Sequence, residues 1–91
     1  MSGDCLKWIR DGDVSLPFVK MALDEVRKRY YPVSDLRTAL MSGLRIKIAE
    51  YKDRIEQGDT GWQGVMAESE KMLHGLEEGE EVIYKGIIIP E

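Results

Sequence analysis

From Leu36 to Ile55 the chain places an apolar residue at every third or fourth position: Leu36, Leu40, Leu44, Ile48, Tyr51 and Ile55. Steps of three and four return to the same face of a helix turn after turn. The spacing predicts a helix over about residues 34–57, opening at Ser34 and running about six turns. In a chain of 91 residues, which is one small domain, such a helix has to be the spine on which everything else packs. Gly43 interrupts it at a cost of about 1 kcal/mol relative to alanine, so a neighbouring helix is expected to cross closely there. Gly58 is placed to end it.

Two shorter stripes flank the spine. Leu16, Val19, Leu23, Val26 and Tyr30 predict a helix over about residues 15–30. Ser15 suits the N-cap, Pro17 is tolerated in the first turn, and Pro32 stops the ladder. Trp62, Val65, Met66, Ser69, Met72, Leu73 and Leu76 predict a third helix over about residues 60–76, capped by Asp59 or Thr60 and fading through Gly75 and Gly79. At the start, "DCLKWIRDG" reads as a short helix capped by Asp4. The alternative makes "CLKWI" and "VSLPF" strands around Asp11-Gly12; the helix is preferred. Near the end, the β-branched run Val82 to Ile89 predicts a strand or an extended tail. The expected fold is therefore mainly α: three principal helices, a short N-terminal element and a C-terminal β or extended tail. Residues 1–91 form a single domain, with 80–91 a tail able to serve as an interaction element.

The stretch "GDTGWQG", residues 58–64, resembles a phosphate cradle at first sight. Its glycines fall at positions 58, 61 and 64, which matches neither the dinucleotide spacing nor a Walker loop, and both of those follow a buried strand. A long helix precedes this one, so it reads as a C-cap glycine and a helix-to-helix turn, with Gly64 a place for another backbone to approach. Trp62 is expected to close the core over the junction or, partly exposed, to anchor a partner.

Acid–base and metal chemistry find few residues to use. His74 and Cys5 are the sole histidine and cysteine, they stand far apart, and no neighbouring feature activates the thiol. "DGD" at 11–13 begins like a calcium loop, but position twelve of such a loop would be Ala22 where glutamate is needed. Catalysis is not expected, nor is any cofactor, metal or small-molecule substrate evident. One cysteine cannot form an internal disulfide, and charges run through the first apolar patch, against a signal peptide. No apolar run is longer than Ile87-Ile88-Ile89, far short of a membrane span. A soluble, cytoplasmic protein is expected.

Charge is unevenly spread. Residues 20–54 carry nine basic and five acidic side chains, net +4, whereas residues 55–91 carry two basic and nine acidic, net -7. Either the two parts neutralise each other in the fold, or one of them meets an oppositely charged partner. Arg27, Lys28, Arg29, Arg37, Arg45 and Lys47 are the candidate anion or nucleic-acid contacts. "DVSLPF" as a short strand, a helix to Tyr30, a turn and "SDLRTALMSGL" as a second helix resembles a ribbon-helix-helix module over residues 13–57. That resemblance implies a dimeric DNA-binding repressor or antitoxin whose paired strands read the major groove. The groove-facing positions would be Asp13, Ser15 and Pro17, with no base-reading side chain among them, and Pro17 lacks a ladder donor.

A lone strand cannot stand in water with its backbone unpaired. The tail must therefore pair with an N-terminal strand, with its twin in a second chain, or with a sheet edge of another protein, unless it lies extended over the helices. The expected function is a small non-enzymatic adaptor, regulator or inhibitor working through protein–protein contact, with a protein partner or a homodimer ahead of nucleic acid and with no membrane. Trp62, Tyr84, Ile87, Ile88 and Ile89 are the candidate anchors.

Overall fold

The computed structural model describes residues 4–91, with side chains from Cys5 onward. Helix α1 spans Asp4–Arg10, α2 Leu16–Arg27, α3 Val33–Glu56 and α4 Gln63–Glu77, and strands β1 Val82–Tyr84 and β2 Ile87–Ile89 close the described chain. A single 3₁₀ turn, Thr60–Trp62, leads into α4. The fold is mainly helical, with three long helices, a short N-terminal helix and a C-terminal antiparallel hairpin. The helix preferred for the N-terminal piece is therefore present; the cap expected of the Asp4 side chain lies outside the described residues.

Helix α3 is the spine. Its 24 residues extend about 36 Å, most of the molecule's 44 Å long axis. Leu36, Leu40 and Leu44 are buried, as the stripe requires, against Ile9 of α1, Val19 and Leu23 of α2, and Met72 and Leu76 of α4. Ile48, Tyr51 and Ile55 further along are half-buried. The crossing anticipated at Gly43 is present. A Cβ there would stand 2.1 Å from the carbonyl oxygen of Ile9 and 2.6 Å from a methyl of Val14, so only glycine admits α1 at this distance.

Each long helix ends in the same way. The amide two residues past the C-cap returns to the third residue from the end, and the amide before it to the second, as in Tyr30 to Glu25 and Arg29 to Val26. This Schellman pairing places its turning residue at positive φ. Gly58 and Gly79 take that position after α3 and α4, but after α2 it is Arg29, at φ 64°. The stripe drawn to Tyr30 therefore overran: α2 stops at Arg27, and Tyr30 is 61% exposed. The starts differ from expectation too. Ser15 occupies the N-cap of α2 without capping, because its Oγ donates to Asp13 at 3.0 Å. Helix α3 begins at Val33, behind Pro32 rather than at Ser34.

Residues 13–15 form a loop, and Pro17 sits in the first turn of α2. The strand that the ribbon-helix-helix resemblance implies is not formed. Backbone geometry explains it: proline is pre-set for a helix start and removes a donor from a ladder.

The tail solves its pairing problem within itself. Tyr84 faces Ile87, Ile83 faces Ile88 and Val82 faces Ile89 in antiparallel register. Lys85 and Gly86, at φ 49° and 87°, form a two-residue turn whose twist suits the strands. One face of the hairpin lies in the core, with Tyr84 1%, Val82 7% and Ile89 0% exposed. Gly75 lets β1 approach α4, since a Cβ on it would meet a Val82 methyl at 2.9 Å. None of the partners expected for the tail is needed for its ladder, because the chain folds back on itself.

Candidate interaction surface

Of the proposed anchors, Tyr84 and Ile89 are core residues. The Tyr84 hydroxyl donates to the carbonyl of Val14, fastening the hairpin to the loop before α2. Burial, with Tyr51 and Glu68 adding, pushes the phenol up to about 12. Ile87 is half-buried. Ile88 alone of the tail anchors is open, at 53% exposure, and its cross-strand partner Ile83 is more open still, at 67%. Sequence reasoning missed Ile83 by treating residues 82–89 as one strand. The signal was a two-residue break ending in Gly86, on either side of which the alternation in and out restarts.

Trp62 lies at the α3–α4 junction but outside the buried core that one of its two readings placed it over. Its ring is half-buried and stacks on Tyr51, with centroids 5.2 Å apart and planes at 16°. The Arg54 guanidinium stands 4.9 Å from the ring centre, and Nε1 donates to Asp59 Oδ2 at 2.8 Å. Asp59, expected as a helix cap, instead fixes this indole. The ring's contacts are thus made to residues of the α3–α4 turn and the helix before it. Gly64, expected at a close approach, has nothing within 4 Å of where a Cβ would stand.

The basic candidates do not form one face. Arg37 is 6% exposed. Its Nη1 donates to the Pro90 carbonyl at 2.6 Å and its Nη2 to the Leu76 carbonyl at 3.2 Å. It was expected among the contacts with anions, but it is an internal clamp joining α3, the end of α4 and the segment after β2. Helical periodicity put it off the stripe; a long side chain reached inward all the same. Arg45 pairs with Glu77 at 3.0 Å across to α4, and Lys47 with Glu50 at 3.1 Å. Lys28 pairs with Asp24 at 3.0 Å, which raises the lysine's pKa. Arg27 and Arg29 are exposed. The Arg45–Glu77 pair ties the basic middle of the chain to its acidic end.

Two grooves run along the hairpin. Between α4 and β1 lies one lined by Met72, Val82 and Ile83, with Glu68, Glu80 and Glu81 on its rim against Lys71. Between β2 and α2 lies another, lined by Leu23, Ile87 and Ile88, with Lys20 and Arg27 on its rim against Asp24. His74, on the first groove, is exposed with Nε2 3.9 Å from Glu78. Among the described residues, no three of His, Cys, Asp and Glu are placed to hold a metal ion. No helix among them is long and apolar enough to cross a membrane. No protein-family model, no curated protein and no solved structure matches this chain.

Proposed function

We propose that this protein is a small non-enzymatic adaptor or regulator that acts by contact with another polypeptide through the outer face of its hairpin. The observation that carries the reading is the Ile83–Ile88 pair. The two β-branched side chains stand directly opposite each other and are 67% and 53% exposed, while Val82, Tyr84 and Ile89 of the same strands are buried. An apolar pair held outward on a short rigid element, rimmed by charged residues, is the pattern of a contact site. Neither residue is needed to fill the core.

A photoreactive phenylalanine analogue placed at position 83 tests this in the cell of origin. Irradiation is expected to join the chain to a polypeptide, whereas the same group at exposed Lys52, on α3, gives no adduct. Absence of any adduct from position 83, with the protein folded by circular dichroism, overturns the reading.

A further inference from the structure

We infer that the hairpin's partner is a second copy of this chain, docked face to face about a two-fold axis running along the strands. This rests on the contact reading above and adds the identity of the partner. The outer surface runs α4, β1, β2, α2. Its middle is the apolar ridge of Ile83 and Ile88. On the β1 side, Glu68, Glu80 and Glu81 outnumber Lys71 around the groove. On the β2 side, Lys20 and Arg27 outnumber Asp24, whose carboxylate is already paired with Lys28. One ridge is therefore flanked by an acidic groove and a basic groove.

Rotation by a half-turn about an axis parallel to the ridge exchanges its two flanks. A second copy so placed sets its acidic groove over the basic groove of the first, and the reverse, while Ile83 of each meets Ile88 of the other. That is the residue-by-residue reciprocity of an isologous interface. A half-turn about an axis across the ridge would set acid on acid, so the charges select one orientation. A standard interface takes about 800 Å² from each partner, about a seventh of this chain's 5708 Å². Two isoleucines cannot supply that area alone. Both flanks must be engaged, and the association is accordingly sensitive to salt.

Sedimentation equilibrium on the full chain tests the geometry. Wild type is expected to dimerise, with Kd rising as salt is raised. Ile83→Thr with Ile88→Thr keeps the strand preference while removing apolar surface, and is expected to raise Kd at least about tenfold. Lys20→Glu with Arg27→Glu makes both flanks acidic, and Glu80→Lys with Glu81→Lys makes both basic. Each of these variants is expected to be monomeric alone, and an equimolar mixture of the two to form a heterodimer. Failure of that mixture to associate, with wild type dimeric and both variants folded, overturns the proposed pairing of the charged flanks. A wild type that stays monomeric up to about 1 mM overturns self-association; if position 83 still cross-links a different polypeptide, the contact reading stands without it. A dimer indifferent to Ile83 and Ile88 overturns the inference and places self-association elsewhere.

Discussion

Arg37 sits where a charged side chain is rarely left, inside the fold and against two main-chain carbonyls, those of Leu76 and Pro90. The carbonyl of Leu76 accepts the Gly79 amide of the capping turn and the guanidinium adds a second donor to it, while also holding the carbonyl of Pro90. Arg37→Met fills similar volume but leaves both oxygens without this donor. It is expected to lower stability by about 2–3 kcal/mol, read as an earlier urea midpoint. Arg37→Lys recovers only part of that, because one ammonium does not reproduce a planar two-pronged donor. Tyr84 is the second residue of this kind, and it adds a pH dependence. Its pKa in the fold, about 12, lies above the ordinary value of about 10. The folded state therefore favours the neutral phenol. That contribution is complete below about pH 10 and disappears as pH rises through about 12. Tyr31 acts in the same direction: burial first, then its hydrogen bond to Glu25, hold its hydroxyl well above the usual tyrosine range. Stability measured by denaturant is expected to fall over this window. Tyr84→Phe is expected to cost about 1 kcal/mol at neutral pH and to make the alkaline fall shallower. An unchanged alkaline slope would show that Tyr84 ionises freely in the fold.

At the scale of elements, glycine separates what local preference says from what packing says. Alanine is favoured over glycine within a helix by about 1 kcal/mol. Gly64→Ala in α4 has open space around it, so this preference operates unopposed and the variant is expected to be more stable by about 0.5–1 kcal/mol. Gly43→Ala in α3 meets the Ile9 backbone at 2.1 Å. It is expected to lose about 2–3 kcal/mol or more, since α1 must shift. Thermal melts of the two variants check the opposite signs. Gly43 was legible in the sequence because an isolated glycine in a strong apolar stripe needs a packing reason. Gly64 was misread because it too was given a neighbouring backbone to admit, and none comes within 4 Å of where its Cβ would stand. The three long helices were legible from periodicity, and Gly58 from its place after the last apolar turn. The hairpin was not, because Lys85-Gly86 lacks the Asn-Gly or Asp-Gly signature of such turns and because isoleucine fills both faces of β2. Inward and outward positions there are chemically identical, so only the fold decides that Ile89 is core and Ile88 is surface. Arg37 was illegible for a related reason: its reach inward depends on where Leu76 and Pro90 come to rest, from 39 and 53 residues away.

For the whole molecule, the question is whether the hairpin is an appendage or part of the fold. Its buried residues Val82, Tyr84 and Ile89 each contribute about 1.5–3 kcal/mol by burial, together about 5–9. A chain of 91 residues has a total stability of about 5–14 kcal/mol. Removal of residues 82–91 also withdraws the Pro90 carbonyl from Arg37 and the Tyr84 hydroxyl from Val14, leaving a buried guanidinium half-satisfied. The truncated chain is therefore expected to lose its cooperative thermal transition and much of its helical circular dichroism, not merely a binding segment. A truncated chain that keeps a sharp transition near the wild-type temperature would mean that the helices form the core unaided. The same accounting dictates how the surface must be probed. Deletion removes Ile83 and Ile88 together with three core side chains, so loss of association in that variant says nothing about the outer face. Substitution at positions 83 and 88 alone separates contact from folding, because the side chains that face outward are the ones on which the core does not depend.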